Sequence, residues 1–253
     1  MSLLKSIKRD IDAIRERDPA ARNALEVILA YPGFHAREAH RFAHALYRRR
    51  VPVLPRVISH LTRFFTGIEI HPGARIGEGL FIDHGMGVVI GETAEIGDDC
   101  NILQGVTLGG TSMKRTKRHP TLGNRVTVGA GAKLIGAIEV GDNARIGAGS
   151  VVVTNVPPNA TVVGVPGHVV SFHDPGTDTI TRLPDPEWDR IDALERYIER
   201  LDRRVRALQT QLEALGARPE DEEDDPEASH VHRSRAPRSQ RGTALASSEA
   251  VGG

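Results

Sequence analysis

Two histidines in the middle of the chain lie next to charged residues in short polar motifs. His84 follows Asp83 in the run IDHGMG, and His119 follows Arg118 in the run KRHP. An imidazole titrates near neutral pH, so each ring has the chemistry of a general base or of a metal ligand. A single surface histidine is nevertheless more often structural than catalytic. The elements that position the two rings therefore decide between these chemistries.

The chain around both histidines contains an internal repeat of six residues. Its aliphatic members are Ile70, Ile76, Ile82, Val88, Ile90, Ile96, Ile102, Leu108, Leu122, Val128, Leu134, Val140, Ile146 and Val152. The spacing slips by two residues between Val88 and Ile90. Glycine directly follows many members, and 20 of the 26 glycines lie between Gly67 and Gly167. Neither a helix, with a period of 3.6, nor a strand, with a period of 2, explains a period of six.

A triangular coil explains this period, because each six-residue unit forms one side of a prism and directs its aliphatic residue inward. Glycine and small polar residues allow the corners to turn. We therefore predict a parallel β-helix of hexapeptides over residues 67–172. The repeat is interrupted once, over residues 109–121 (GGTSMKRTKRHPT). A loop that leaves a regular solenoid is a common location for function.

The segments on either side of the repeat have helical patterns. Residues 1–66 carry Leu, Ile and Ala at helical spacing and predict a short helical domain. Residues 186–216 contain four heptads and predict a coiled-coil helix. Its apolar seam is Ile191, Leu194, Ile198, Leu201, Val205, Leu208, Leu212 and Leu215. Residues 217–253 run acidic, then basic, then small and polar, and we expect a disordered tail.

The composition excludes several classes of protein. Lys plus Arg equals Asp plus Glu, at 33 each, so no net positive charge attracts nucleic acid. No run approaches the roughly 20 apolar residues of a membrane span. The single cysteine, Cys100, has no partner for an internal disulfide, and the N-terminus lacks the apolar stretch of a signal peptide. These features predict a soluble protein of the cytoplasm.

Glu69 precedes His84 by close to one full coil of three hexads, so stacking of the coils brings its carboxylate toward that imidazole. The competing use of histidines on such a prism is a metal site. The gamma-class carbonic anhydrases hold zinc with three histidines, which requires a close pair on one strand. His71, His84 and His119 are widely spaced. We therefore expect no metal.

Residues 15 to 172 resemble the serine O-acetyltransferases, a family of hexapeptide-repeat acyltransferases. The motifs GFHA, DHG, GET, TLGGT and the RHP of the loop carry this resemblance and are more specific than the repeat itself. It implies a mainly β fold with a left-handed parallel β-helix. It also implies transfer of acetyl from acetyl-CoA to the hydroxyl of L-serine, giving O-acetyl-L-serine, the first step of cysteine synthesis.

The resemblance also implies roles for individual residues. The catalytic histidine corresponds to His84 and its carboxylate partner to Glu69, where many members have Asp. The serine-binding residues correspond to Asp18, Asp83, Arg118 and His119. The backbone contacts to CoA correspond to Gly110, Ala130 and Ala148. In chemical terms, His84 removes the hydroxyl proton of serine. The carboxylates suit the ammonium group, and Arg118 and His119 suit the carboxylate.

The expected assembly is a homotrimer with L-serine and acetyl-CoA as its small-molecule partners. In long members of the family the helical domain pairs trimers into hexamers. This domain is short here, so trimer and hexamer both stay as alternatives. In many members a C-terminal isoleucine enters O-acetylserine sulfhydrylase, whereas this chain ends in Val251-Gly252-Gly253. We therefore do not expect that complex. We expect the heptads to form a parallel three-stranded coiled coil on the threefold axis of the prism.

Two other functions fit the same fold, which by itself does not decide function. The first is an acetyltransferase that acts on a sugar or antibiotic hydroxyl. The second is a non-catalytic trimeric scaffold that only presents the charged tail. The acceptor specificity distinguishes the first from a serine acetyltransferase, and the absence of CoA binding distinguishes the second.

Overall fold

A computed structural model describes residues 3–183 and 186–215. The chain divides into two units, residues 1–186 and 187–253. The residues predicted as a tail, 217–253, lie outside the described residues.

Four helices form the N-terminal region: α1 (Leu3–Arg17), α2 (Ala24–Ala30), α3 (Pro32–Arg48) and α4 (Leu54–Thr66). The side chain of Asn23 caps α2 by accepting a hydrogen bond from the backbone of Glu26. Pro32 opens α3, where its missing N–H is not needed. Gly67 ends α4 with a φ of 73°, in the left-handed region that glycine adopts readily. This glycine turns the chain from the last helix into the repeat.

The repeat folds into a triangular parallel solenoid, which confirms the predicted fold class. Face A contains β1 (Glu69–Ile70), β4 (Val89–Ile90), β7 (Thr107–Gly109), β10 (Lys133–Ile135) and β13 (Val151–Val152). Face B contains β2 (Arg75–Ile76), β5 (Glu95–Ile96), β8 (Thr121–Leu122) and β11 (Glu139–Val140). Face C contains β3 (Phe81–Asp83), β6 (Asn101–Leu103), β9 (Thr127–Val128) and β12 (Arg145–Ile146). Three strands extend face C: β14 (Ala160–Val163), β15 (His168–Asp174) and β16 (Thr179–Arg182).

The aliphatic hexad residues fill the interior of the prism, as the period of six predicts. Thirteen of the fourteen are buried, and Ile76 is half-buried. The strands β15 and β16 pair antiparallel, so the sheet continues past residue 172 to Arg182. The buried thiol of Cys100 belongs to this core, and burial raises its pKa to about 11.

Buried charges fasten the helical region to the prism. Asp10 of α1 accepts a hydrogen bond from the backbone N–H of Gly79 at 2.8 Å, and Arg37 of α3 donates to the carbonyl oxygen of Gly77 at 2.7 Å. Arg41 donates to Asp10 at 2.5 Å. Arg37 Nε also lies 3.5 Å from the carboxylate of Asp10. Asp10 and Arg37 are 1% and 5% exposed, so replacing Asp10 would leave the buried charge of Arg37 without this ion-pair partner. These contacts set the position of the end of α1, which is followed by Asp18.

The second unit contributes one described helix, α5 (Pro186–Ala214). All eight seam residues of the four heptads are exposed on this single chain, from 43% for Ile191 and Leu201 to 83% for Leu215. Within the described ranges, no helix combines the length and the apolar character that crossing a bilayer requires.

Candidate active site

His84 lies at the corner where face C turns into face A, which we call the CA corner. From Ile82 to the paired position on face A, Val89, is seven residues, whereas from Ile102 to Thr107 in the next coil is five. The two-residue slip in the hexad pattern is therefore the turn that carries His84. The ring is exposed, with 75% of the side chain accessible, and the backbone has a φ of 59°. The two additional residues of this corner thus place the side chain of His84 outside the prism, where it is exposed to solvent.

A tyrosine hydroxyl near this corner binds one of the two predicted ammonium-binding carboxylates. Tyr31, between α2 and α3, donates a hydrogen bond to Asp18 Oδ2 at 2.6 Å. Burial, this bond and the charges of Asp18, Glu26 and Asp83 raise the pKa of Tyr31 to about 12. The hydroxyl therefore stays a donor to Asp18, and the negative charge of Asp83 acts on the same group. Asp83 Oδ1 is 3.8 Å from His84 Nε2.

Glu69 lies one coil below the His84 turn, as the spacing predicts. Its backbone N–H donates to the carbonyl oxygen of Val88, and the N–H of Gly87 donates to Gly67. The carboxylate of Glu69 pairs with Arg63 of α4 at 2.8 Å. Among the described residues, no hydrogen bond joins Glu69 to His84. The predicted dyad therefore requires the carboxylate of Glu69 to leave Arg63 and to form a hydrogen bond with the imidazole of His84.

Arg118 and His119 lie at the end of the loop, at the AB corner between face A and face B. Arg118 donates to Glu92 Oε2 at 2.5 Å, and Tyr47 of α3 donates to Glu92 Oε1 at 3.1 Å. The guanidinium holds the pKa of Glu92 below its usual range. A carboxylate from the preceding coil therefore orients the predicted carboxylate-binding arginine.

Thr93 fastens the backbone of the same two loop residues. Its hydroxyl oxygen accepts from the N–H of Arg118 at 3.0 Å and from the N–H of His119 at 3.1 Å. Lys117 donates to the carbonyl oxygen of Thr93 at 2.7 Å. Successive residues 92 and 93 of the GET motif thus hold the end of the loop on the prism.

The ring of His119 occupies space that glycines leave free. A Cβ on Gly91 would lie 2.0 Å from Cδ2 of the ring, and a Cβ on Gly110 would lie 3.0 Å from Nε2. The residue is 8% exposed. Gly110, predicted to contact CoA, is therefore a direct neighbour of the loop residues predicted to bind serine.

Ala130 and Ala148 lie on the CA corner, above His84. The turns of successive coils are linked by backbone hydrogen bonds: Gly105 donates to Met86, Gly131 to Gln104, and Gly149 to Ala130. These links stack the His84 turn and the turns of Ala130 and Ala148 in one column. Two of the three predicted CoA contacts thus share a corner with the predicted catalytic base.

The predicted site residues therefore form two groups in one chain. Asp18, Asp83, His84, Ala130 and Ala148 belong to the CA corner, and Glu69 begins face A next to it. Gly110, Arg118 and His119 belong to the AB corner. One side of the prism separates them, roughly 16 Å for five extended residues. In the residues that the structure describes, no group of three or more His, Cys, Asp or Glu side chains is arranged to hold a metal ion.

Comparisons with known proteins match both regions of the chain. Residues 1–39 match the family model described as serine acetyltransferase, N-terminal, and residues 119–154 match the bacterial transferase hexapeptide model. A serine acetyltransferase of Synechococcus elongatus is 55% identical over 222 residues, which are 87% of this chain and 88% of the relative. The chain belongs to the serine acetyltransferase family.

Solved structures of this family have the same fold. The serine acetyltransferase of Neisseria gonorrhoeae in complex with serine is 47% identical, with a TM-score of 0.64 over 66% of this chain and 68% of that one. The Brucella abortus serine acetyltransferase in complex with coenzyme A is 43% identical, with a TM-score of 0.65 over 66% of this chain and 67% of that one.

Three residues of this family member's site were not singled out from the sequence, namely Tyr31, Glu92 and Thr93. Each acts on a predicted site residue 13 to 26 positions away in the chain. The GET motif contributed to the resemblance, but only the stacking of coils shows that its Glu and Thr contact the loop. Tyr31 begins the run YPGFHA, which includes the GFHA motif of the resemblance, but only the packing of α2 and α3 shows that its hydroxyl contacts Asp18.

Proposed function

We propose that the protein transfers acetyl from acetyl-CoA to the hydroxyl of L-serine and forms O-acetyl-L-serine. The main support for this proposal is that the acidic side chains predicted to bind serine lie at the CA corner and the basic ones at the AB corner. An exposed histidine with two carboxylates at one corner suits a hydroxyl and an ammonium group. An arginine and a histidine at the other suit a carboxylate. The relatives whose structures contain serine and coenzyme A support both substrates.

The chemistry then follows from His84. Its neutral imidazole accepts the hydroxyl proton of serine while the oxygen attacks the thioester carbonyl, which gives a tetrahedral oxyanion. Collapse breaks the C–S bond, and the departing thiolate of CoA takes the proton back from the imidazolium. The backbone N–H of Gly110 is the candidate donor to the oxyanion. No acyl-enzyme is needed, because both substrates meet in one complex.

Glu69 is the candidate partner that orients the imidazole. Its competing ion pair with Arg63 involves a guanidinium side chain that is 58% exposed. Such surface pairs contribute little to stability and exchange easily. The ion pair with Arg63 therefore does not prevent Glu69 from binding the imidazole of His84.

The two corners come together if the CA corner of one chain packs against the AB corner of the next. A serine molecule spans only a few ångströms, so it cannot contact two corners of one prism at once. A threefold ring of identical prisms repeats the same contact three times and closes. A homotrimer therefore completes three sites that a single chain leaves divided.

We also propose that α5 continues this assembly as a parallel coiled coil. The seam has Ile191, Ile198, Val205 and Leu212 at positions a and leucine at every d. In isolated peptides that pattern favours two strands. Tethering to a trimer raises the concentration of the third helix to roughly millimolar, and a two-plus-one arrangement would expose one leucine stripe. In a parallel register Arg190 also faces Glu195 of the neighbouring helix, a pair of opposite charge.

Removing the coiled coil should lower the melting temperature of the trimer. We would compare the full chain with a chain ending at residue 183, and the seam variant Leu201→Glu/Leu208→Glu with the control Ala193→Glu/Ala207→Glu, which adds the same charges outside the seam. Light scattering gives the mass and calorimetry the melting temperature. The truncated and seam variants should melt lower than the full chain and the control. An unchanged melting temperature on truncation would contradict the coiled coil.

The acceptor decides between the proposed function and its two rivals. We expect thiol release from acetyl-CoA with L-serine, and at least tenfold less with D-serine, sugars or aminoglycosides, since the charged groups of the two corners match an L-α-amino acid. Preference for a sugar or antibiotic hydroxyl would overturn the proposal in favour of the first rival. No binding of CoA would favour the scaffold. Location in the cytoplasm stays a prediction.

A further inference from the structure

The hydroxyl of Thr93 has more contacts than its role as a backbone anchor explains. Besides the two backbone N–H groups of the loop, Nδ1 of His119 lies 2.9 Å from the same oxygen. A hydroxyl has one proton and two lone pairs. Both N–H groups can only donate, so they use the two lone pairs. The proton of Thr93 is therefore left for Nδ1 of His119.

A second contact leads to the same assignment. The backbone N–H of Thr93 lies 3.2 Å from Nδ1, and it too can only donate. Nδ1 is thus an acceptor and carries no proton. In a neutral imidazole the proton then lies on Nε2.

The surroundings keep this ring neutral. Burial, and then the positive charges of Arg118 and Lys117, lower the pKa of His119, while Glu92 acts in the opposite direction. Among the described residues, Nε2 makes no hydrogen bond. This nitrogen is next to Gly110, at the predicted junction of the serine and CoA sites.

We propose that Thr93 is a positioning residue that fixes the tautomer of His119, so that the neutral ring presents its Nε2–H as a hydrogen-bond donor to a substrate oxygen. Identifying that oxygen with the carboxylate of L-serine rests on the proposed function. In this role His119 neither accepts a proton from the substrate nor contributes a positive charge. It is thereby distinguished from His84, the candidate base.

The test compares Thr93→Val, which keeps the shape but removes the hydroxyl, with Thr93→Ser, which keeps it. Thr127→Val is the matched control, because the hydroxyl of Thr127 makes no hydrogen bond within the described part of the chain. In the Thr93→Val variant we expect the KM for serine to rise about tenfold, with smaller changes in kcat and in the KM for acetyl-CoA. Thr93→Ser and the control should stay within about twofold of the wild-type KM.

Nitrogen NMR of the full chain labelled with ¹⁵N-histidine measures the tautomer without substrate. The signal is assigned by its loss in His119→Gln. We expect a protonated Nε2 and an unprotonated Nδ1 in wild type and in Thr93→Ser. In Thr93→Val we expect a partly protonated Nδ1, because the backbone N–H still donates to this nitrogen at 3.2 Å but the hydroxyl is gone. A protonated Nδ1 in wild type, or equal damage by Val and Ser, would overturn the proposal. Because the tautomer is read without activity, failure of the proposed function would leave this result unaffected.

Discussion

Replacing His84 with Asn should lower kcat by about a hundredfold or more, because a general base contributes roughly 10²–10⁴-fold. Asn is preferred to Ala in this test because it tolerates the left-handed backbone at this position. His84→Ala should lose at least as much activity. The exposed side chain lies outside the core, so both variants should fold and assemble as wild type does. Steady-state kinetics with L-serine and acetyl-CoA measure the effect.

Glu69→Gln is the natural comparison for this variant. The carboxylate orients the imidazole and does not accept the proton, so we expect a smaller loss of kcat than for His84→Asn. Circular dichroism and light scattering on each variant control for folding and assembly. If His84→Ala or His84→Asn retained more than a tenth of the wild-type rate, the assignment of the base would be wrong.

Much of the prism could be predicted from the sequence because its regularity is local. Each coil consists of sides of six residues, and the aliphatic residue of each side marks the position that faces the interior. Even the irregularities were visible as the slip after Val88 and the gap after Leu108. The meaning of the slip was not visible, because a count of hexads cannot show that the extra residues form the corner that carries His84.

The candidate site was predictable only as a set of residue types. Motifs identified His84, Arg118 and His119, but hexad spacing alone does not show that a full side of the prism separates them. That separation depends on which corner each turn occupies, and therefore on the register of coils with different lengths. Glu69 illustrates the same limit, since its spacing predicts a lateral neighbour of His84, while its ion pair with Arg63 requires the packing of α4.

The groups that orient the site were missed for a different reason. Tyr31, Glu92 and Thr93 act through single hydrogen bonds to residues in other elements. Such contacts leave no period in the sequence. A polar residue such as Thr93 or Tyr31 has the same appearance in the sequence whether it holds a neighbouring segment or only faces water.

The proposed assembly forms each active site from the CA corner of one chain and the AB corner of its neighbour. It predicts that two inactive chains restore each other's activity. His84→Asn damages one corner, and the double variant Arg118→Ala/His119→Ala damages the other. In any trimer that contains both kinds of chain, one of the three sites combines two intact corners, so roughly a third of the wild-type rate should return.

The measurement uses the two variants co-expressed with different tags and purified through both tags, so that every trimer is mixed. Rates are compared with each parent trimer at a serine concentration below the wild-type KM, where the loop variant is nearly inactive. Recovery to about a third of the wild-type rate is the expected result. Mixed trimers no more active than the parents would contradict the account, because they would show that each site is built within a single chain.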